Sequence, residues 1–338
     1  MRRHGHLLER VVAWDNLLLA ARKAARGKRS RPEVARFLFD LEPELLRLQA
    51  ELAGGTWQPG PYRTFHVLDP KPRRISAARF ADRVVHHALM NVLDPVFDRC
   101  LVDSSFACRR GKGTHRAVAA ARALARRHRY FLKGDVEHCF ETIPHDRLQA
   151  LLRRKLKDPG VLLLLDRVVG AAGDAEQPGQ GLPIGNLTSQ YFANHYLGGL
   201  DQFVTGVLRV GAYLRYMDDF VLFGASAAEL HRHRGEVAAF LRERLGLQLK
   251  EAATFVAPTR CGLPFLGFAV FPGTVRLRPE RRRRTRRRVV AREREWSSGE
   301  ITAAELARSV QSSLAHAAHA ATLGLRRRWF DTTLPEMG

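Results

Sequence analysis

Cysteine is scarce in this chain of 338 residues, and its four cysteines form no Cys-x-x-Cys pair. No histidine lies at zinc-finger spacing from Cys100, Cys108, Cys139 or Cys261. The pattern therefore favours buried free thiols over a zinc site or a disulfide framework.

Long apolar runs are also missing. The most apolar stretch, residues 161–172, is interrupted by Asp166 and Arg167, so no membrane span is predicted. The N-terminus lacks the apolar core of a signal peptide, and a cytoplasmic location is therefore expected. No internal repeat is visible, and the only biased segment is a run of arginines after residue 280.

Acidic residues are few relative to basic ones. The chain has 34 Asp and Glu against 56 Lys and Arg, which gives a formal net charge of +22. Such an excess favours a polyanionic partner, because each phosphate that a Lys or Arg neutralises releases counterions. Nucleic acid is the expected partner, and a merely soluble basic protein is the alternative.

The residue pattern predicts a mixed α and β chain. Helices are expected over residues 1–55, 78–98 and 187–204, and a helix over 115–128 is expected with Thr114 as its N-cap. Strand patterns occupy residues 63–68, 130–136, 247–256 and 263–271, and residues 212–223 fit a hairpin with Met217 and Asp218 at its tip. The segment from residue 279 onward is predicted to be helical and very basic.

Three carboxylates occur where apolar strands end. Asp218 and Asp219 lie between apolar residues of the predicted hairpin, and Asp135 ends the apolar strand before it. A turn that leaves the acids in water is one explanation. If the strands are neighbours in one sheet, the three acids instead converge and can bind two divalent cations, which stabilise the attacking and leaving oxygens of a phosphoryl transfer.

These motifs resemble the palm of reverse transcriptases. Tyr216-Met217-Asp218-Asp219 follows a strand that ends at Asp135 with Phe140 five residues later, and residues 265–268, Phe-Leu-Gly-Phe, resemble the primer-grip hairpin of that family. The resemblance implies an α+β right-hand polymerase with an antiparallel, RRM-like palm sheet. It implies an N-terminal helical extension (1–55), fingers (56–128), a palm (129–275, with a finger-type segment at 150–185) and a basic helical thumb (276–338).

One motif points to a narrower group. Residues 184–190 read Ile-Gly-x-x-x-Ser-Gln, where most bacterial reverse transcriptases have Gln-Gly-x-x-x-Ser-Pro. This variant, with residues 71–76, 82–89 and 108–115, resembles the enzymes of diversity-generating retroelements. The resemblance implies copying of a template-repeat RNA into cDNA with errors at adenines, followed by replacement of a variable region in a target gene. It also implies a small, basic, helical-bundle accessory protein as partner.

The resemblance assigns the metal-binding roles. Asp135 and Asp218 are expected to bind two Mg²⁺ ions, with Mn²⁺ as an alternative, and Asp219 to be a ligand or a close neighbour of them. The main-chain carbonyl of Val136 is expected to contact the ion on the nucleotide side.

Further residues are expected around the incoming nucleotide. Phe140 is interpreted as the steric gate that excludes a 2′-hydroxyl, with a core Phe as the alternative. Ile184 cannot make the polar contact of an amide and is interpreted as a source of copying errors, unless it merely packs. The other expected nucleotide-binding residues are Lys71, Arg73 (or Arg74 if the register differs by one), Gly185, Gln190 and Lys250.

Nucleic-acid contacts are expected from a third set of residues, which are mostly basic, and a basic tail is the alternative for the arginine run. The set comprises Arg83, Lys112, Ser189, Tyr216, Met217, Arg281, Arg282, Arg283, Arg284, Arg286, Arg287 and Arg288. A retron-type or abortive-infection reverse transcriptase, or a non-catalytic RNA-binding scaffold, are the competing interpretations of the whole chain.

Overall fold

A computed structural model describes residues 3–68, 72–171 and 178–331. Within these ranges, short irregular helices connect some of the regular ones. The α-helices are α1 (Leu8–Val12), α2 (Trp14–Ala25), α3 (Pro32–Phe39), α4 (Leu41–Ala53), α5 (Phe80–Asp98), α6 (Thr114–Arg127), α7 (Cys139–Thr142), α8 (His145–Arg153), α9 (Pro159–Gly170), α10 (Leu187–Tyr196), α11 (Gly198–Gln202), α12 (Ala227–Phe240), α13 (Pro279–Ser297), α14 (Ala303–Ala317) and α15 (Leu323–Asp331).

The strands form three antiparallel sheets, with the orders β1-β2, β4-β5-β3-β6 and β7-β8-β9. The strands are β1 (Arg63–Val67), β2 (Arg73–Ala77), β3 (Tyr130–Asp135), β4 (Tyr213–Tyr216), β5 (Asp219–Gly224), β6 (Phe255–Pro258), β7 (Leu263–Phe265), β8 (Phe268–Val270) and β9 (Val275–Leu277). The four-stranded sheet is built on two long-range pairings of β3, with β5 on one side and β6 on the other.

The chain divides into two compact units, and neither is continuous in sequence. The first unit contains Met1–Arg109, Val136–Arg209 and Glu236–Lys250, and the second contains Arg110–Asp135, Val210–Gly235 and Glu251–Gly338. In the first unit, α5 is the central helix and packs against α2, α1, α3 and α10. Twelve of its nineteen residues are buried, which explains why its sequence is apolar on most sides.

The second unit contains the four-stranded sheet and the basic C-terminal helices. Phe131, Leu132, Phe220 and Leu222 are fully buried, as expected for inner strands of a sheet that is covered on both faces. Helix α14 begins with a capping box, in which Thr302 and Glu305 each accept a hydrogen bond from the backbone amide of the other, and it packs against α13.

Several sequence predictions need correction. The strand expected at 247–256 begins only at Phe255, because Leu249 makes a single bridge with Val136 and residues 251–253 form a 3₁₀ turn. Thr114 is the first residue of α6 rather than its N-cap; the N-cap is Gly113. No disulfide joins the four cysteines, all of which lie in the described ranges, but only Cys139 is buried, so the prediction of buried thiols is wrong for the other three.

Within the described ranges, no helix is both long enough and apolar enough to cross a bilayer.

Candidate active site

The register of the four-stranded sheet places two of the three predicted catalytic acids opposite each other. Asp135, the last residue of β3, pairs directly with Asp219, the first residue of β5. Directly opposed residues of antiparallel strands point to the same face, with Cβ atoms about 4.5–5.5 Å apart. The convergence inferred from sequence therefore holds at the backbone level for this pair.

Asp218 belongs to the two-residue turn that connects β4 to β5. Met217 is the first residue of the turn and has a φ of 56°. Tight hairpin turns require positive φ values, which residues other than Gly rarely adopt. Arg215 stabilises this conformation, because its Nη1 donates a hydrogen bond to the carbonyl oxygen of Met217 at 3.0 Å. The guanidinium thus fixes the turn that carries Asp218.

Arg215 was not predicted to have a role, although it is the largest fully buried side chain in the described part of the chain. A charged group is costly to bury unless hydrogen bonds compensate it. The signal in the sequence was an arginine inside the otherwise uncharged four-residue strand β4.

Gly134 is required by the packing behind the acids. It pairs with Phe220, and a Cβ at position 134 would lie 2.1 Å from Cζ of that ring. The ring of Phe220 is itself fully buried. The lack of a side chain at residue 134 therefore leaves room for the Phe220 ring to pack on one face of the sheet. The next residues along the two strands, Asp135 and Asp219, lie on the opposite face.

Lys133 is a further residue that the sequence analysis missed. It lies two residues before Asp135 and so on the same face of β3, and its Nζ is 2.7 Å from Oδ1 of Asp219. The pair is mostly buried, with 12% and 24% of the side chains exposed. Asp219 is therefore compensated by an ammonium group within the protein.

The residues expected near the nucleotide's sugar and base form a group in the first unit. The carbonyl oxygen of Phe140 accepts a hydrogen bond from the amide of Leu182, and the carbonyl oxygen of Ile184 accepts one from the amide of Ser76 at 3.0 Å. The loop that contains Ile184 and Gly185 is thereby attached both to α7 and to β2.

Gly185 has a backbone conformation that glycine adopts more readily than other residues. Its φ is 114°, and a Cβ there would lie 2.9 Å from Cγ2 of Ile75. Both observations favour glycine, because other residues rarely adopt this conformation and the neighbouring strand leaves no space for a side chain. The side chain of Ile184 is only half-buried.

Other predicted nucleotide contacts are placed in the first unit as well. Arg73 is exposed at the start of β2, and Gln190 is exposed on α10, where its side-chain oxygen lies 3.5 Å from Sγ of Cys108. Lys250 is half-buried and directly follows the residue that bridges to Val136. Lys71 lies outside the described residues.

The predicted primer-grip segment forms a tight hairpin in the second unit. Phe265 pairs with Phe268, and the two turn residues, Leu266 and Gly267, both have positive φ. Two positive values are typical of the type I′ turn that fits the twist of antiparallel strands. The amide of Arg278, immediately before α13, donates to the carbonyl oxygen of Gly267 at 3.3 Å.

Comparison with known proteins decides the family. A model of the family described as reverse transcriptase (RNA-dependent DNA polymerase) matches residues 68–270, more than half of the chain. The chain belongs to the reverse transcriptase family. It is an RNA-directed DNA polymerase, with template RNA and nucleotides as substrates. The α+β right-hand polymerase class predicted from the sequence is confirmed.

This reverse transcriptase is similar to several intron-encoded and bacterial proteins. Protein YkfC of Escherichia coli K12 is 26% identical over 270 residues, which cover 67% of this chain and 71% of that protein. The group II intron-encoded protein LtrA of Lactococcus lactis is 26% identical over 170 residues, 48% of this chain but only 28% of LtrA. Apo telomerase from Candida tropicalis, truncated from its C-terminal domain, aligns with a TM-score of 0.48 and 12% identity over 69% of this chain and 59% of that chain.

The donor set of the reverse transcriptase fits divalent cations, on which the family generally depends. Carboxylate oxygens are the preferred ligands of Mg²⁺. In the described residues, no three His, Cys, Asp or Glu side chains lie close enough together to hold an ion. Oδ1 of Asp219 is paired with the ammonium of Lys133.

The predicted nucleic-acid contacts differ in exposure. In the reverse transcriptase, the arginine run forms the first half of helix α13 rather than a tail, and five of its arginines, Arg282, Arg283, Arg286, Arg287 and Arg288, are exposed while Arg281 and Arg284 are half-buried.

The remaining predicted contacts are less exposed. Ser189 is buried, and Lys112 and Met217 are half-buried. Tyr216 accepts a hydrogen bond at its hydroxyl from Thr114 Oγ1 at 3.2 Å. Arg83 is half-buried with its guanidinium over the ring of Phe80, and this burial lowers the pKa of the guanidinium.

Proposed function

We propose that this reverse transcriptase copies a template-repeat RNA into cDNA with frequent errors at adenines, and that the cDNA diversifies a target gene, as in diversity-generating retroelements. The observation that carries the proposal is the Ile-Gly-x-x-x-Ser-Gln segment at residues 184–190, which replaces a hydrogen-bonding side chain with an apolar one at the loop attached to Ser76 and Phe140.

The proposed copying chemistry uses the three acids. Asp135 and Asp218 would hold both Mg²⁺ ions, with Mn²⁺ as an alternative, and Asp219 would be a ligand or a close neighbour of them. The main-chain carbonyl of Val136 would contact the ion on the nucleotide side. The ions supply charge stabilisation for both the attacking and the leaving oxygen. Arg215 positions Asp218 through its hydrogen bond to the Met217 carbonyl.

Nucleotide selection is proposed to depend on Phe140 and Ile184. Phe140 excludes the 2′-hydroxyl, while Lys71, Arg73 and Lys250 hold the triphosphate and Gly185 lets the backbone approach the substrate. The carbonyl of Ile184 accepts a hydrogen bond from the amide of Ser76. The side chain of Ile184 has no polar atom, so it offers no hydrogen bond to a base. A missing bond of this kind reduces discrimination by about 1–3 kcal/mol.

Further proposals concern the domain boundaries, the duplex contacts, the protein partner and the location of the enzyme. The division into helical extension (1–55), fingers (56–128), palm (129–275) and thumb (276–338) follows the family order, and the arginines of α13 contact the template–primer duplex. A small basic helical-bundle protein is the proposed partner, and the cytoplasm the proposed location.

Primer extension followed by sequencing of the cDNA tests the assignment to diversity-generating retroelements. The purified full chain, its candidate template RNA, Mg²⁺ and deoxynucleotides should yield cDNA with errors concentrated opposite adenine, and Ile184→Gln should reduce those errors by about tenfold or more. Ile301→Gln, a matched change in the second unit, should leave the error spectrum unchanged. Equal adenine error rates in wild type and Ile184→Gln would remove Ile184 from the explanation, and uniform low error rates in both would reject the retroelement assignment.

A second pair of variants separates an enzyme from an RNA-binding scaffold. Asp218→Asn keeps the size of the side chain but removes its charge, and should abolish cDNA synthesis while RNA binding persists. Asp40→Asn, an exposed residue in the first unit, is the control and should copy normally. An adjacent non-coding RNA with a repeat pair in the genome distinguishes a diversity-generating element from a retron-type enzyme.

A further inference from the structure

The first unit contains a cavity of about 510 Å³ that the copying site does not use. It is formed by α8, the C-terminal end of α10, α11, the turn that follows α11 and the end of α12 with the turn after it. None of the residues predicted to bind metal, nucleotide or template lines it. Its volume is in the range of small-ligand sites.

One wall of the cavity is aromatic and apolar. The rings of Phe203 and Phe240 stack with centroids 4.3 Å apart and planes 9° from parallel, and both rings are only half-buried. Gly198 and Gly199 also line the cavity, and a Cβ at Gly199 would lie 3.5 Å from Cδ2 of Leu245, another lining residue. A flat, half-exposed aromatic wall is the type of surface on which nucleobases stack without strong sequence preference.

The charged residues of the lining all have one sign. Arg147, Arg154, Lys155 and Arg244 line the cavity, and no Asp or Glu does. The three arginines are exposed, whereas Lys155 is buried. This arrangement fits a ligand that has an apolar, planar part and a phosphate at the opening.

A buried histidine supplies the polar group of the inner wall. His195 is 4% exposed and stacks on Phe97, and neither of its ring nitrogens has a hydrogen-bond partner among the described residues. Burial, with Lys155 nearby, lowers the pKa of the imidazole to about 4, so the ring is neutral at pH 7. A neutral imidazole has one donor and one acceptor, the mixed pattern of a nucleobase edge, whereas an anion needs donors only.

A second basic cavity, of about 600 Å³, lies in the same unit. Its lining is Arg3, His4, Gly5, His6, Arg99 and Lys157, again without an acidic residue. Arg99 precedes Cys100 of the first cavity in the chain, and Lys157 follows Lys155 by two residues. Neighbouring segments of the chain therefore line both cavities, and the basic lining residues of this unit are not confined to the space that a single nucleotide fills.

We propose that the first cavity binds one unpaired nucleotide of an RNA chain, with the base against Phe203 and Phe240 and its phosphates on Arg147 and Arg244. The basic lining of the second cavity favours an RNA chain over a free nucleotide. This site goes beyond the copying reaction: it holds RNA outside the template–primer position, and it does not depend on error-prone copying.

The test measures binding of a labelled single-stranded RNA of about 12 nucleotides to the full chain by fluorescence anisotropy. The copying site is first occupied with excess unlabelled RNA–DNA hybrid. The double variant Arg147→Gln with Arg244→Gln should raise the dissociation constant about tenfold. The matched control, Arg153→Gln with Arg242→Gln, removes equal charge from the same elements outside the cavity and should change it less than about twofold.

Equal weakening by the two double variants would overturn the proposal, because binding would then follow net charge alone. Primer extension on a pre-annealed hybrid should be unchanged in both, so a failure of the copying assignment is recognised separately. Circular dichroism melting of both variants checks that the fold is kept.

Base recognition is tested with an RNA of the same length that has abasic sites. Wild type should bind the intact RNA about tenfold more tightly than the abasic one, and His195→Phe, which keeps a ring on Phe97, should lose part of this preference. Equal affinity of wild type for both RNAs rejects the base pocket. Displacement by adenosine monophosphate as strong as by RNA would assign the cavity to free nucleotides, and displacement by oligoglutamate would assign it to acidic peptides; either result overturns the RNA proposal.

Discussion

Gly134 and Phe220 connect the packing of the palm sheet with the position of its acids. The ring of Phe220 occupies the space that a side chain at residue 134 would need, and the neighbouring residues on the two strands are Asp135 and Asp219. A methyl group at position 134 therefore has to displace a fully buried ring or separate the strands.

Gly134→Ala should lower the free energy of unfolding by about 1–3 kcal/mol or more, because it overpacks a closed core. Urea denaturation measures the change. Gly206→Ala is the control: a Cβ there meets no atom within 4 Å, so that variant should be neutral or slightly more stable. An unfolding free energy for Gly134→Ala equal to that of wild type would show that Phe220 moves freely.

The contribution of Lys133 to stability is expected to depend on divalent metal ions. In Lys133→Met, Asp135 and Asp219 face each other without the ammonium, and we expect the variant to be less stable than wild type by about 1–2 kcal/mol in EDTA. Added Mg²⁺ no longer competes with the ammonium, so it should raise the melting temperature of the variant more than that of wild type.

Calorimetry with and without Mg²⁺ measures this difference. Lys157→Met, at an exposed lysine of the first unit, serves as the control and should respond to Mg²⁺ as wild type does. The same Mg²⁺-induced shift in Lys133→Met and wild type would mean that Lys133 does not compete for Asp219.

Helix α9 is fixed at its N-terminus by one carboxylate. Asp158 accepts hydrogen bonds from the amides of Leu7, Leu8 and Val161, and thus joins the N-terminal segment to α9. Burial acts to raise the pKa of this carboxyl, but the several backbone amides outweigh it and hold the pKa below its ordinary value. The charged form is therefore the stabilising one.

The sign of the pH dependence follows from that depressed pKa. Asp158 contributes its stability above about pH 4, the ordinary carboxyl range, and loses it as the pH falls through the lower value in the folded protein. Asp158→Asn should lower the free energy of unfolding by about 1–3 kcal/mol at pH 7. The difference in unfolding free energy between this variant and wild type should shrink below about pH 4. Asp15→Asn, at an exposed acid in the first turn of α2, should show no such difference in the same denaturation series.

Helix α13 should bind phosphates through its exposed arginines. Arg283 and Arg287 are four residues apart and therefore share one face of the helix. Replacing both with Gln should reduce the slope of log affinity against log salt concentration by about 1.5 for an RNA–DNA hybrid. Arg22→Gln with Arg26→Gln removes the same charge, at the same sequence spacing, from α2 and the residue that follows it. An equal loss of slope in that control would assign the effect to net charge instead of to α13.

At the scale of the whole molecule, the sequence predicted features that depend on short segments. The hairpin at 212–223, the strand that ends at Asp135 and the long helix α5 all follow from local periodicity. The pairing of the strands was predicted from the family resemblance. That resemblance depends on the order of motifs along the whole chain and not on any one segment.

The features that were missed depend on residues far apart in sequence. Arg215 and Lys133 were recognisable as charges within apolar strands, but their partners depend on how the strands pair. The requirement for Gly134 becomes visible only with Phe220 opposite it. The strand expected at 247–256 was misplaced because buried alternate leucines give the same periodicity whether or not a neighbouring strand pairs with them.

The interleaving of the two units constrains how the protein can be made and altered. Each unit is assembled from three separate stretches of the chain. As the ribosome extends the chain, the first unit has to wait for residues 236–250 before its last stretch is present. A contiguous fragment that contains the whole first unit has to run from residue 1 to residue 250, and one that contains the whole second unit has to run from residue 110 to residue 338. Genetic exchange of either fragment therefore also carries parts of the other unit.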